Sequence, residues 1–254
     1  MKAKMKVGFL GTGHIASHMA RAVARDGHEV IVSRRSETVS AELVAAELGI
    51  CVADNHDLVA EADTVFICLR PAVWKDVCGA LPWRDDLEVV SVMAGVRMAE
   101  LEAICAPAEE ISATIPLASM EHGGTPLPVL GDPTALSRFF GQKNPILPVA
   151  DEAVFLKHYA ACTMVSGVMG LLGAAGAWLS EQTGEPDTYL GPLAASFLTD
   201  LHAHGPVDLR MEAARLASPN TLSRMMMEGL TETGVFDQTP EILNKITQSM
   251  ETRS

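Results

Sequence analysis

Glycines at 11 and 13, a small residue at 16 and arginines at 34 and 35 stand at spacings that suit one chemistry, the binding of a dinucleotide. Val7 to Leu10 is a short apolar run, the turn Gly11-Thr12-Gly13 follows, and Ile15, Met19, Ala22 and Val23 then recur with helical period. In that setting Gly11 permits a tight turn, Gly13 lets backbone approach a pyrophosphate, and Ala16 allows the helix to pack closely on its strand. The pyrophosphate is expected on the free amides of the helix starting near His14, with Thr12 and Ile15 beside it. A second strand ends at Ser33-Arg34-Arg35-Ser36, and no acid lies between Ile31 and Ser36. An NAD ribose needs a carboxylate there, whereas a ribose 2'-phosphate needs guanidinium and hydroxyl donors. Ser33, Arg34 and Arg35 therefore predict NADP(H) as the cofactor.

The elements that must position these residues follow from the pattern of apolar runs. After the first strand-helix-strand unit, a helix is expected over Ala41–Leu48, a short strand at Cys51-Val52 and a buried strand over Thr64–Leu69. A helix from Pro71, a strand over Glu88–Met93, a helix over Met98–Cys105 and a strand over Glu110–Ile115 continue the alternation, which specifies a parallel sheet with helices on both faces. A loop over Pro116–Pro128, a strand near Val129, a helix over Leu136–Phe140 and a strand near Ile146 complete it. The fold class is α/β, a Rossmann-type doubly wound sheet over residues 1–150 followed by an all-helical dimerisation and substrate domain over 151–254. In such a sheet the turn Leu69-Arg70-Pro71 and the pair Ala94-Gly95 fall at the carboxyl ends of strands, where they line the cofactor.

Ala160 to Leu179 carries no charge and is long enough for a bilayer crossing. Gly167, Gly170, Gly173 and Gly176 recur within it without a second span or flanking basic cluster, so a helix buried on all sides at a homodimer interface is the expectation. The net charge of −13 argues against nucleic acid or an anionic membrane as partner and requires that any anionic ligand meet local positive potential. Five cysteines without metal-ligand spacing are expected to be reduced and mostly buried, and no apolar signal segment precedes Val7, so a cytoplasmic location is expected. His202 and His204 have no third ligand near them in sequence, and no metal is expected.

Several segments resemble the pyrroline-5-carboxylate reductase family, whose members reduce a cyclic imine with NADPH. They are Gly8-Phe-Leu-Gly-Thr-Gly-His-Ile-Ala16, the strand end Ser33-Arg34-Arg35-Ser36, Val65-Phe-Ile-Cys-Leu-Arg-Pro71, Ser91-Val-Met-Ala-Gly95, Asp151-Glu152, Thr163-Met-Val-Ser-Gly167 and Ser218-Pro219. The chain departs from the family where Met-Pro-Asn becomes Ile115-Pro116-Leu117, and where Ser-Pro-Gly-Gly-Thr-Thr becomes Ser218-Pro-Asn-Thr-Leu-Ser223. The resemblance implies NADP(H), a helical dimerisation domain and a substrate held near the Ser218–Ser223 loop. It places Ser223 at a family threonine and Leu222 at the other, so Ser223 and Thr221 are the candidates to donate or relay a proton to the imine nitrogen.

Ser218 and Asn220 are candidate substrate contacts, with Ser218-Pro219 expected to open a helix whose positive end suits a substrate carboxylate. Thr163 and Ser166 are further candidates, although such hydroxyls commonly bond back to the preceding turn. His122, ahead of Gly123-Gly124, is the remaining candidate proton donor. Two other functions stay open at this point. One is a different NADP oxidoreductase on the same scaffold, of the β-hydroxyacid dehydrogenase or deazaflavin-dependent kind, and the other is a non-enzymatic NADP-binding regulator.

Overall fold

The computed structural model describes residues 4–34, 37–46, 48–203, 205 and 207–252. Its strands are β1 (Lys6–Leu10), β2 (Glu29–Ser33), β3 (Cys51–Ala53), β4 (Thr64–Ile67), β5 (Glu88–Ser91), β6 (Ile111–Thr114), β7 (Leu127–Gly131) and β8 (Ile146–Pro148). They form one sheet in the order β3-β2-β1-β4-β5-β6-β7-β8. Between them run α1 (His14–Arg25), α2 (Glu37–Ala45), α3 (Asn55–Glu61), α4 (Trp74–Cys78), α5 (Met98–Cys105) and α6 (Thr134–Phe140). The fold is the expected doubly wound α/β sheet followed by helices.

Two strands depart from the all-parallel expectation: β7 pairs antiparallel with β6, Thr114 opposite Val129, and β8 runs parallel to β7, so both run opposite to the other six. The cause is the connection. Between β6 and β7 there is only a 3-10 turn, Ala118–Glu121, and no helix that crosses the sheet, so the chain re-enters from the end it left. Element ends also shift: the expected helix from Pro71 begins at Trp74, and the helix expected over Ala41–Leu48 is Glu37–Ala45.

The core has a layer on each sheet face. Phe9, Met19, Val23, Phe66, Leu136, Phe139 and Phe140 form one, and Leu10, Leu58, Val65, Trp74, Leu87 and Leu101 the other. Phe66 stacks on Phe9 at 5.0 Å and meets Phe139 and Phe140 edge-on. Truncating such a side chain to alanine costs about 3–5 kcal/mol, because the cavity collapses only in part. Of the cysteines only Cys78 and Cys105 are buried, and burial pushes both thiols up to about 12; Cys51, on the sheet-edge strand β3, is exposed.

Two compact units divide the chain, Met1–Tyr159 with Thr247–Ser254, and Ala160–Ile246. The boundary differs from the expected one at residue 150 because the start of α7 (Glu152–Cys162) and the end of α12 (Val235–Glu251) belong to the first unit. The second unit comprises most of α12 with α8 (Met164–Thr183), α9 (Leu190–Ala203), α10 (Leu209–Leu216) and α11 (Leu222–Glu232). The expected long helix is interrupted at Thr163, where hydrogen bonds tighten to three-residue spacing. Glu152–Thr183 is long and apolar enough to cross a membrane by length and composition. In a single chain α8 is not enclosed as expected, since Gly176 is its one buried residue.

Candidate functional site

Register brings the sequence-selected loops to one edge of the sheet. Phe9 pairs with Val32, Leu10 with Ile67 and Ile67 with Ser91, so the turns after β1, β2, β4 and β5 all leave from the carboxyl ends. Gly11 has φ +101°, and a Cβ there would lie 2.7 Å from the Cys68 carbonyl oxygen, so no other residue fits the turn without strain. At Gly13, the N-cap of α1, a Cβ would meet nothing within 4 Å. The turn is therefore close-packed on its inner side and open on its outer side, as a cradle for an anion requires. The first turn of α1 contains no acid, which leaves its positive dipole end uncompensated.

Ser33 takes a different position from that expected of a phosphate ligand. It is 1% exposed, and its Oγ accepts the Gly11 amide at 2.8 Å. Thr12 is likewise buried, its hydroxyl donating to the Ser33 carbonyl at 3.1 Å. Both fix the turn against the end of β2 from within. Arg34 is exposed, forms no ion pair among the described residues, and lines a cavity of about 450 Å³ with Ser40, Ala41, Val44 and Val52. Arg35 lies outside the described residues. Ile15 is half-buried against the core, while Leu69 is buried, and Arg70 and Pro71 are exposed beside it. Ala94 is exposed, and Gly95 has φ +72°.

A buried carboxylate that the residue pattern did not reveal anchors this edge. Glu121, its side chain 4% exposed, accepts hydrogen bonds from His18 at 2.5 Å, from Arg21 at 3.0 Å and from Arg25. Burial alone raises its pKa, but the bonds from Arg21, His18 and Arg25 outweigh that and hold it at about 2. The His18 ring packs edge-on to that of His14 at 4.6 Å, in the first turn of α1. His18, Arg21 and Arg25 recur on one face of the helix, a spacing that calls for an acid; that the acid is Glu121, 100 residues from Arg21, is a matter of topology. His122 follows Glu121 and is exposed.

In the helical unit the expected helix start moves by a few residues. Asn220 has φ +64°, Thr221 is extended, and α11 begins at Leu222, so Thr221 rather than Ser218 is the cap. The Thr221 hydroxyl donates to the Ser218 carbonyl at 2.8 Å and accepts the Arg224 amide at 3.2 Å. It is committed to capping, which leaves Ser223, exposed in the first turn, as the available hydroxyl. Pro219, Asn220, Thr221, Leu222, Arg224 and Met225 border a cavity of about 700 Å³. Thr163 and Ser166 bond back to the Ala160 and Thr163 carbonyls, each at 2.7 Å, and both side chains are exposed.

Residues 6–95 match the family model described as NADP oxidoreductase, coenzyme F420-dependent. A pyrroline-5-carboxylate reductase of Pseudomonas aeruginosa is 30% identical over 103 residues, 39% of this chain and 38% of that protein. The structure of the Streptococcus pyogenes pyrroline-5-carboxylate reductase superposes with a TM-score of 0.80 at 16% identity, covering 98% of this chain and 99% of that one. The chain has the pyrroline-5-carboxylate reductase fold. The Plasmodium falciparum pyrroline carboxylate reductase, solved with NADP bound, superposes equally well, with a TM-score of 0.80 at 12% identity over 97% of each chain. The shared fold thus spans both units, whereas the sequence match to the P. aeruginosa reductase spans less than half of either protein.

Proposed function

We propose that the protein is an NADP(H)-dependent reductase of a small cyclic imine. The observation that carries this reading is the carboxyl edge of the sheet, where the open turn at Gly13 leads into the acid-free start of α1 beside exposed Arg34. The residues fit the cofactor. Backbone amides from Gly13 onward would hold the pyrophosphate, Arg34 the ribose phosphate and the cavity beside it the adenosine, while Ala94 and Gly95 would border the nicotinamide. Bound NADPH would supply the hydride.

The chain's own contribution is then to orient the substrate and manage one proton. An imine carbon becomes electrophilic when its nitrogen is protonated, and the Ser223 hydroxyl is our candidate to donate or relay that proton. A substrate carboxylate would suit the first turn of α11, where the positive dipole end is not met by an acid. Glu228, one turn further on, already pairs with Arg224 at 2.6 Å. The exposed apolar surface of α8, with open space at Gly167, Gly170 and Gly173 apart from the end of Met164, supports a homodimer through the helical unit. Unbridged cysteine spacing favours a reducing cytoplasmic setting.

The description of the family matched over residues 6–95 favours a second reading, transfer between NADP and a deazaflavin. A screen of NADPH oxidation across cyclic imines, small oxoacids and a deazaflavin separates the two. Oxidation with a cyclic imine supports the proposal; turnover with the deazaflavin alone supports the second reading, and no turnover at all leaves a regulator.

A further inference from the structure

Residues 92–97 join β5 to α5 and carry Ala94 and Gly95. They contain no regular structure, yet they are gripped along their length. At the start, the Tyr159 hydroxyl on α7 donates to the Val92 carbonyl at 3.2 Å. At the far end, Glu152 opens α7 and accepts the Met98 amide at 2.9 Å, with its other oxygen 3.7 Å from Arg97. Arg97 also donates to the Glu251 carbonyl in the last turn of α12, at 3.1 Å. In the middle, buried Met250 backs Gly95, 3.9 Å from where a Cβ would stand.

The cap is the informative detail. Arg97 occupies the N-cap position of α5 and makes no side-chain cap bond there. A serine or aspartate at that position would satisfy the helix locally. Instead the acceptor comes from Glu152, 54 residues away, which ties the end of the loop to α7. The two helices that grip the loop are those within which the chain passes to and from Ala160–Ile246.

We infer that Glu152, Tyr159 and Arg97 are positioning residues that hold residues 92–97 in the arrangement needed to receive the nicotinamide ring. The inference rests on the NADP(H) reading above. It implies that losing the grip harms the nicotinamide end of the cofactor and spares the adenosine end, which is held by the β1 turn and Arg34.

The test is to titrate the full-length protein and its variants with two probes, NADPH and the adenosine bisphosphate half of the cofactor, which lacks nicotinamide. With Glu152→Ala, NADPH binding should weaken roughly tenfold while the bisphosphate stays within about twofold, as expected for loss of a charge-assisted bond at one end only. Glu152→Gln, which keeps an oxygen for the Met98 amide, should recover most of the loss. Tyr159→Phe should weaken NADPH alone by about threefold, the effect of a single neutral hydrogen bond, and carries the test if Glu152→Ala does not fold. Equal weakening of both probes, or unchanged NADPH binding in variants with native melting temperatures, would overturn the inference. A wild type that binds neither probe removes the NADP(H) reading and this inference with it.

Discussion

The two units of this chain bury their apolar residues to opposite degrees. In the first, Val44 and Leu147 are the large hydrophobics left exposed among the described residues, and two aromatic and aliphatic layers are closed over the sheet. In the second, Ala160 and Ala217 are the buried hydrophobics, while Met169, Trp178, Met211, Leu222 and Met225 are each more than 60% exposed. The first unit therefore has a core that one chain completes. The second has helices whose apolar faces are left open to water in a single chain, the surface through which the proposed homodimer would form.

The largest effect that would sharpen this contrast is expected from Gly170→Leu. A leucine placed in the open stripe of α8 should block close approach of a second copy, giving a monomeric or aggregating protein by sedimentation, with the nucleotide unit still folded by circular dichroism. A wild type that is a stable monomer at micromolar concentration would break the comparison.

Acid should act on the first unit through Glu121. Glu121 has its pKa lowered from 4.5 to about 2, so its contribution is present above the unfolded value and is lost as pH falls from about 4.5 through about 2. The shift corresponds to about 3 kcal/mol. Denaturant unfolding across that window should show the wild type losing this amount relative to Glu121→Gln; parallel pH curves for the two proteins would contradict it.

Arg34→Ala should cost about 1.5–3 kcal/mol of NADPH affinity, roughly ten- to hundredfold, and leave NADH binding nearly unchanged. Equal weakening of both cofactors in titration would remove the phosphate role. Ser223→Ala in the second unit should lower turnover by roughly tenfold at unchanged NADPH affinity and melting temperature. Full activity in a Ser223→Ala, Thr221→Val double variant would leave the start of α11 as a cap only and move the search to His122.

The same contrast explains what could be read in advance. The strand-turn-helix around Gly11 was legible because its causes are local: an apolar run, a position that tolerates φ > 0, and a helical period. The antiparallel β7 was not, since Pro116–Pro128 shows only that a loop is present and not that it fails to cross the sheet. The residue type of Ser33 predicts a phosphate donor, and nothing local indicates that its oxygen is taken by the Gly11 amide on the neighbouring strand end. The partners of Glu121 and Glu152 are hidden for the same reason, since they lie from 54 to more than 100 positions away, although Asp151-Glu152 itself stands out as a helix opening. At α11, Ser218-Pro219 carries a strong start signal, yet the left-handed Asn220 defers the helix and passes the cap to Thr221.

Steady-state oxidation of NADPH and of NADH by the wild-type protein, with a pyrroline-type cyclic imine as acceptor, tests the proposed function most directly. An NADP(H)-dependent imine reductase should turn over with kcat/KM at least roughly tenfold higher for NADPH, the discrimination that one guanidinium–phosphate contact supplies. Equal use of NADH, or no hydride transfer to any cyclic imine while NADPH binds normally, would contradict it.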